Sequence, residues 1–423
     1  MTSRRSVLKM MALATAGAML GQGRLALAAP RFLSQRPPLA KRKFVSPAVE
    51  RLMARVKAKI ADPELAWMFE NCFANTLDTT VQVGNLRGKP DTFIVTGDID
   101  AMWLRDSSAQ VWPYVSLAAH DEPLQRLFRG LIRRHAYWQA TGDKRPFDDD
   151  WRDAMRKVLA TFREQQRKHG PGSYHFQRRS EVPTESQFLG GYGNPARPVG
   201  LIHSMFRPSD DACLYPLFIP GNLFALSVLR QLAQMTQALF DDRGFAAECH
   251  TLADEIEQAL QLHGIIRDEP GGEVWAYEVD GYGNQLFIDD ANAPGLSSLA
   301  YLGCCPSDDA RYRRTRALAW SERNPYFFSG RAAQGIGGPH EGLRMIWPMS
   351  IIMRALTSTN SGEIRQCLQW LKTTHAGTGF MHEAFDQDDP THFTRAWFAW
   401  ANTLFGELMV QIADRQPELL RRS

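Results

Sequence analysis

The sequence lacks most features that would mark a disulfide-built, membrane-spanning or nucleic-acid-binding protein. Its 423 residues include only six cysteines, and none of these have the C-x-x-C spacing of a redox or zinc motif. No apolar run after the first 30 residues is long enough to predict a membrane span or anchor. Lys and Arg number 49 against 46 Asp and Glu, and the arginines form no basic stripe, so no nucleic-acid partner is expected.

Several chemical motifs are also missing. There is no H-E-x-x-H zinc motif. The glycine-rich stretch at 334–340 lacks the Lys-Ser/Thr of a phosphate loop, and no strand is predicted before it. Strand signals are few, and no βαβ rhythm or internal repeat is present. We therefore expect neither a metal nor a cofactor.

The first residues carry an export pattern. Two adjacent arginines, Arg4 and Arg5, precede a modestly apolar run that ends near Leu20, and a small-x-small site follows at Ala26 to Ala28. This pattern is typical of a twin-arginine (Tat) signal peptide. We predict a signal peptide over 1–29, cleaved after Ala28 or nearby, and a single domain over 30–423. The protein is then expected to use the Tat translocon during export and to be periplasmic, possibly secreted.

Helical periodicity dominates the rest of the chain. Ser46 is a predicted N-cap before an apolar stripe, and Gly264 is predicted as a left-handed cap that ends a helix over 245–260. Further helices are predicted near 63–76, after Asp121, and near 107–119, 150–167, 217–238, 307–320, 343–356, 362–373 and 394–413. One hairpin is predicted at 274–288, and 171–208 is predicted to be a long functional loop. About a dozen helices with long loops favour a closed α/α toroid.

The stretch 96–114 concentrates polar groups just before a predicted helix. It holds three carboxylates, Asp98, Asp100 and Asp106, together with Arg105 and Trp103. Such a set suits a ring sugar, whose hydroxyls donate hydrogen bonds to carboxylates and accept them from guanidinium while its C–H face rests on an aromatic ring. A buried ion-pair network that caps the helix is the alternative interpretation.

A second cluster lies at 206–212, where Arg207 precedes the adjacent acids Asp210 and Asp211. One acid could be held charged by the arginine while the other stays protonated and acts as a general acid. Alternatively, Ser209 or Asp210 caps a helix.

A third cluster, at 377–386, presents Glu383 from a glycine-containing loop between two predicted helices. Glu383 is a candidate base that could hold a water, although it and His382 could be exposed polar residues without a catalytic role. In the glycine-rich stretch, His340 could donate to a substrate hydroxyl or cap a helix at the surface.

Taken together, these motifs resemble glycoside hydrolase family 125. The similar segments occur in order as T-G-D-I-D-A-M-W-L-R-D-S (96–107), G-N-P (193–195), F-R-P-S-D-D-A (206–212), G-I-G-G-P-H (335–340) and H-E-A-F (382–385). The resemblance spans roughly 45–415. It implies an all-α (α/α)6 barrel with short hairpin insertions, and a metal-independent, inverting exo-α-1,6-mannosidase acting on α-mannoside glycans.

The resemblance also implies roles for individual residues. Asp210 is expected to be the general acid and Glu383 the general base, with Asp211 as the rival for the acid. The remaining positions expected to bind substrate are Asp98, Asp100, Trp103, Arg105, Asp106, Arg207, Asp211 and His340. The alternatives are another toroid exo-glycosidase acting on α-glucosides, an exported glycan-binding protein without turnover, and a metal-dependent mannosidase.

Overall fold

The computed structural model describes residues 32–86, 88–97, 99–131, 135–267 and 270–421, and its first helix begins where the sequence predicts. Ser46 caps this helix, because its hydroxyl accepts a hydrogen bond from the Val49 nitrogen at 3.2 Å, and Pro47 occupies the first turn. The buried carboxylate of Asp121 accepts from the Ser46 hydroxyl at 2.8 Å and ties this start to a distant segment. The apolar stripe of the helix is buried as predicted.

Helices are the dominant secondary structure of the described chain, and strands are far fewer. The α-helices are α1 (Pro47–Lys57), α2 (Pro63–Thr79), α3 (Leu104–Val111), α4 (Glu122–Leu131), α5 (His135–Thr141), α6 (Asp149–Gln165), α7 (Ile219–Phe240), α8 (Arg243–His263), α9 (Ala310–Ala319), α10 (Pro348–Leu356), α11 (Ser361–Thr373) and α12 (Ala399–Arg415). The 3₁₀ helices are Leu39–Lys41, Trp112–His120, Pro183–Glu185, Leu189–Gly191, Leu296–Ser298 and Pro417–Leu420.

Short antiparallel strands connect the helices. They are β1 (Val81–Leu86), β2 (Lys89–Ile94), β3 (Leu217–Phe218), β4 (Ile265–Ile266), β5 (Val274–Trp275), β6 (Glu278–Val279), β7 (Gln285–Leu286), β8 (Phe327–Ser329), β9 (Gln334–Ile336), β10 (Met345–Ile346), β11 (Ala384–Asp386) and β12 (Phe393–Thr394). The strand orders are β1-β2, β3-β6-β7, β4-β5, β8-β9 and β10-β11-β12.

The first and last parts of the helical chain close on each other. Helices α2 and α12 pack together, and the hydroxyls of Thr76 and Thr403 share a hydrogen bond of 2.9 Å across their buried contact. Gly406 allows this approach, since a Cβ at that position would lie 2.9 Å from the Cα of Phe73. Sequence neighbours α7 and α8, and α10 and α11, also pack against each other. The described residues from Ser34 onward belong to one compact unit.

Most predicted helices are observed within a few residues of their expected bounds, but two predictions begin too early. The helices predicted from 343 and from 394 start only at Pro348 and Ala399. The residues before them instead enter β10 and β12, where tertiary pairing overrides the local helical pattern. The predicted helix at 107–119 is α3 followed by a 3₁₀ turn.

Two further local predictions are corrected. Gly264 does end α8, but its φ is −86°, so it is not left-handed. Close packing explains why this position is a glycine, because a Cβ there would lie 2.9 Å from the Leu260 carbonyl oxygen. The hairpin predicted over 274–288 exists as β6 and β7, whereas β5 pairs with β4 instead. The β1-β2 hairpin, whose first strand is mostly exposed, was not predicted.

The segment 171–208 contains neither an α-helix nor a strand, as expected for a loop. Within the described ranges, no helix has the length and apolarity needed to cross a membrane. The predicted export signal at 1–29, and with it the boundary to the following domain, lies outside the described residues.

Candidate active site

Loops from several parts of the chain meet around one cavity of about 220 Å³. Six of the residues expected from the sequence line it: Trp103, Arg105, Asp106, Asp210, His340 and Glu383. The other lining residues are Thr96, Ile99, Pro208, Ser209, Asn292, Trp347, Arg395 and Phe398. Polar groups and aromatic rings therefore share one concave surface, the combination that ring sugars require.

Asp210 is presented by a tight turn. Phe206 and Ala212 form an isolated antiparallel bridge, and within it the Arg207 nitrogen donates to the Asp211 carbonyl at 2.7 Å. Asp210 itself has a φ of +70°, a conformation that non-glycine residues seldom adopt and that the surrounding structure must hold. The next helix starts only at Ile219, so neither Ser209 nor Asp210 is a helix cap.

Glu383 reaches the cavity from the β10-β11-β12 sheet. Ala384 pairs with Thr394 across β11 and β12, so the next positions along this ladder are Glu383 and Arg395. The Arg395 Nε donates to Glu383 Oε2 at 2.5 Å, a charge-assisted bond. Arg395 adopts a φ of +54°, and its carbonyl oxygen lies 2.9 Å from His382 Nδ1. His382 and Glu383 are both buried, which rules out their interpretation as exposed polar residues.

The environment of Glu383 favours its protonated form. Burial raises the pKa of this carboxyl, and the negative charge of Glu341 raises it further, whereas Arg395 and His340 act in the opposite direction. Glu341 and His340 lie on a turn between β9 and β10 that the Gly338–Gly342 bridge closes. The cavity thus holds a carboxylate whose basicity is increased by its surroundings.

His340, Glu341 and Glu383 could in principle hold a cation. Their potential ligand atoms all lie within 4.8 Å of one another, and imidazole with two carboxylates is an acceptable donor set for a divalent metal. However, Glu383 is already bonded to the guanidinium of Arg395, so a metal would compete with a fixed positive charge. We assign these groups to the tuning of Glu383 rather than to a metal site.

The first turn of α3 supplies the opposing polar pair. Arg105 lies 3.1 Å from the adjacent Asp106 carboxylate and 3.7 Å from that of Asp210. Asp106 is buried, and burial raises its pKa, with Asp210 adding to the effect and Arg105 opposing it. Trp103, at the N-cap position of α3, is partly exposed at the cavity. The pair is therefore part of the cavity wall as well as an ion pair at a helix start.

Three expected binding residues are not among the residues that line the cavity. Arg207 is buried and its guanidinium pairs with the buried Glu278 at 2.6 Å, not with either neighbouring acid as the sequence suggested. Asp211 is buried and accepts a hydrogen bond from the Ser209 hydroxyl at 2.8 Å. Asp100 is exposed. Asp98 lies outside the described residues.

Arg207 and Asp211 instead anchor the turn that carries Asp210. Glu278, the partner of Arg207, also accepts from the Leu214 and Tyr215 nitrogens at 2.9 and 3.0 Å. Ser209 contacts a second buried carboxylate, Asp290, at 3.1 Å. Because one hydroxyl carries one proton, Ser209 cannot donate to both acids at once. Burial raises the pKa of Asp290, which favours its protonated form in this network.

Sequence reasoning missed Arg395, Asn292, Trp347 and Phe398. No local motif surrounds Arg395, and only the pairing of β11 with β12 brings it to Glu383. Asn292 follows the buried acids Asp289 and Asp290, a run of polar residues that could have been recognised as a further candidate cluster.

Comparison with known proteins identifies the family. A family model described as metal-independent α-mannosidase (GH125) matches residues 62–137 and 134–410. The chain belongs to glycoside hydrolase family 125. A Schizosaccharomyces pombe protein described as meiotically up-regulated gene 157 protein is 38% identical over 459 residues, covering 92% of this chain and 90% of that protein.

A solved structure of the same kind confirms the architecture. It is a metal-independent α-mannosidase from Streptococcus pneumoniae, described as a non-productive substrate complex with α-1,6-mannobiose. It is 32% identical, has a TM-score of 0.82, and covers 87% of this chain and 97% of its own. The predicted (α/α)6 barrel is thereby confirmed, as is the prediction of a family 125 glycoside hydrolase that removes α-linked mannose.

Proposed function

We propose that this family 125 enzyme removes single α-1,6-linked mannose residues from the non-reducing ends of glycans, with inversion and without a metal. The observation that carries this proposal is one small cavity whose lining brings together Asp210 and Glu383, two carboxylates from separate elements. The α-1,6 linkage is supported by the mannobiose in the Streptococcus pneumoniae complex.

In the proposed mechanism the two carboxyls act in one displacement. Asp210 donates its proton to the glycosidic oxygen as the C1–O bond breaks, and Glu383 removes a proton from the water that attacks C1. Inverting enzymes place these groups about 6.5–9.5 Å apart, which leaves room for the water. The products are β-mannose and the shortened glycan, after which Asp210 regains a proton from solvent and Glu383 releases one.

The geometry also supports separate roles for the cavity residues in binding the terminal sugar. Arg105 and Asp106 present charged hydrogen-bonding groups to the hydroxyls of the terminal sugar, and Trp103 offers an aromatic surface to its C–H face. His340, on the turn that carries Glu341, is placed to contact another hydroxyl. Because the cavity has about 220 Å³, it suits one sugar ring, which fits removal of terminal residues.

The test is hydrolysis of α-1,6-mannobiose followed by NMR. The first anomer released should be β-mannose, and the rate should be unchanged by EDTA. Release of α-mannose would exclude inversion, loss of activity with EDTA would restore the metal-dependent alternative, and hydrolysis of isomaltose in preference to mannobiose would favour an α-glucosidase.

We further propose that the enzyme acts outside the cytoplasm after Tat export. This rests on the Arg4-Arg5 pair, the apolar run and the Ala26–Ala28 site. Replacing both arginines by lysine should retain the enzyme in the cytoplasm of a Tat-competent bacterium. Unchanged activity in the periplasmic fraction of that variant would contradict Tat export.

A further inference from the structure

A loop folded back on itself as a hairpin, residues 173–193, with 3₁₀ turns at Pro183–Glu185 and Leu189–Gly191, lies beside the turn that carries Asp210. Its arms contact each other where the Phe176 nitrogen donates to the Gly191 carbonyl at 2.9 Å and the Arg178 nitrogen donates to the Ser186 hydroxyl at 3.2 Å. Gly191 has a φ of +93°, and a Cβ there would lie 2.9 Å from the Phe176 nitrogen. The arms are therefore held close by backbone that requires glycine.

The tip of the 173–193 hairpin is fixed to the active-site turn. The Ala212 nitrogen, two residues after Asp210, donates to the Thr184 carbonyl at 2.7 Å. Phe176 packs edge-on against Phe206, at the start of the same turn, with 5.4 Å between ring centroids. The hairpin and the turn that carries Asp210 are thus joined by a backbone hydrogen bond and by a contact between aromatic rings.

The same tip interacts electrostatically with a residue of the cavity. A hydrogen bond from Ser180 lowers the pKa of Glu185, and Arg178 and His340, which lines the cavity, lower it further. Phe188 is at most about 10 Å along the chain from Glu185.

The 173–193 hairpin carries several large apolar side chains that are exposed to solvent. Phe188 is 56% exposed and Tyr174 58% exposed, and Val182 and Leu189 are also exposed. Exposed aromatic side chains grouped beside an active site commonly mark a ligand surface.

The proposed reaction indicates what would cover this surface. A cavity of about 220 Å³ lies below the roughly 300–1,000 Å³ of sites that enclose drug-sized ligands, so sugars beyond the terminal one must lie outside it. A general acid protonates the oxygen of the leaving group, so the rest of the glycan leaves on the side of Asp210. That is the side to which the 173–193 hairpin is attached.

We propose that the 173–193 hairpin binds the leaving chain of an extended α-mannoside, with Phe188 and Tyr174 as stacking surfaces for sugars beyond the cleaved linkage. This inference rests on the proposed function and specifies its substrate class: oligomannosides are preferred over mannobiose. The rings offer their faces to the C–H surfaces of successive neutral sugars.

The experiment compares kcat/KM for α-1,6-mannopentaose and α-1,6-mannobiose. The wild-type enzyme should favour the pentaose, and Phe188→Ala should lower the pentaose-to-biose ratio by about three- to tenfold, the size of one lost aromatic contact. The double variant Tyr174→Ala/Phe188→Ala should bring the ratio close to one. In a Glu383→Gln background, calorimetry should show weaker binding of the pentaose to the Phe188→Ala form.

Leu262→Ala is the matched control, because Leu262 is 73% exposed on α8, which contributes no residue to the cavity lining. The pentaose-to-biose ratio of kcat/KM for this variant should equal that of the wild type. An unchanged ratio in the double variant, or no preference for the pentaose in the wild type, would overturn the inference. Failure of the wild type to hydrolyse either mannoside would instead refute the proposed function.

Discussion

Asp210 and Glu383, the two cavity carboxylates that we propose for catalysis, differ in both backbone and environment. Asp210 lies on an irregular turn and its side chain is 58% exposed, whereas Glu383 adjoins a paired strand and its side chain is only 8% exposed. An acid that must regain a proton in every turnover benefits from contact with solvent. A base that must orient one water benefits from a dry, fixed position. The contrast therefore fits the two roles that we propose.

Asp210 and Glu383 are also held in place by different kinds of contact. The turn around Asp210 depends on buried side chains behind it, including Arg207 with Glu278 and Ser209 with Asp211. Glu383 depends on strand register and on the bond from Arg395. Substitutions behind Asp210 should thus act mainly through stability, and substitutions around Glu383 mainly through its protonation.

The largest expected effects come from the carboxylates themselves. Asp210→Asn and Glu383→Gln should each lower kcat/KM for α-1,6-mannobiose by roughly 10²–10⁴-fold, since each removes a proton-transfer group. An aryl mannoside with an acidic phenol needs little protonation on departure, so it should restore activity to Asp210→Asn but not to Glu383→Gln. The measurement is steady-state kinetics on both substrates.

The control for these variants is Asp254→Asn, an exposed change on α8. It should leave both rates unchanged. If the aryl substrate rescued Glu383→Gln and not Asp210→Asn, the roles of acid and base would have to be exchanged.

A smaller effect is expected when the partner of the base is removed. Arg395→Met takes away a group that lowers the pKa of Glu383, so this pKa should rise further. A base works only when ionised, and activity is lost as pH falls through its pKa. The acidic limb of the kcat/KM profile should therefore move to higher pH, with a loss of about 10- to 100-fold near neutrality that is partly regained in alkali.

Glu341→Gln should shift the pKa of Glu383 in the opposite direction. It removes a negative charge that raises the pKa of Glu383, so the acidic limb should move to lower pH. Glu322→Gln, an exposed carboxylate that does not line the cavity, should leave the profile unchanged. Shifts of Arg395→Met and Glu341→Gln in the same direction would show that Glu383 does not control this limb.

The smallest catalytic effect is expected at Asp211. Asp211→Asn changes a buried group that accepts from Ser209 but does not line the cavity, so kcat/KM should fall by at most about tenfold. The free energy of unfolding should decrease by about 1–3 kcal/mol, because an amide fits this acidic network poorly. Urea unfolding and kinetics on one preparation measure both.

A loss of activity at Asp211 equal to that of Asp210→Asn, without a change in stability, would contradict the assignment of Asp210 as the acid. That outcome would make Asp211 the proton donor, the alternative that the sequence left open.

Several parts of the fold could be predicted because their signals are local. The start of α1 follows from Ser46 and Pro47 and the apolar spacing after them, which act within a few residues. The starts of α10 and α12 could not be predicted, because the preceding residues enter strands: β10 pairs with β11 much later in the chain, and β12 pairs with the strand just before it. The β11–β12 pairing also brings Arg395 to Glu383, and no sequence motif indicates it.

The sequence by itself determined the helical character of this protein and the family to which it belongs, and it indicated Glu383 together with either Asp210 or Asp211 as the candidate catalytic carboxylates. These rest on periodicity and on ordered motifs, which are properties of short segments. Only the tertiary structure decided that Asp210 rather than Asp211 reaches the cavity, that Arg207 pairs with Glu278, and that Arg395 holds Glu383. Each of these depends on where the backbone turns and on which segments come into contact, which no pattern within a short segment specifies.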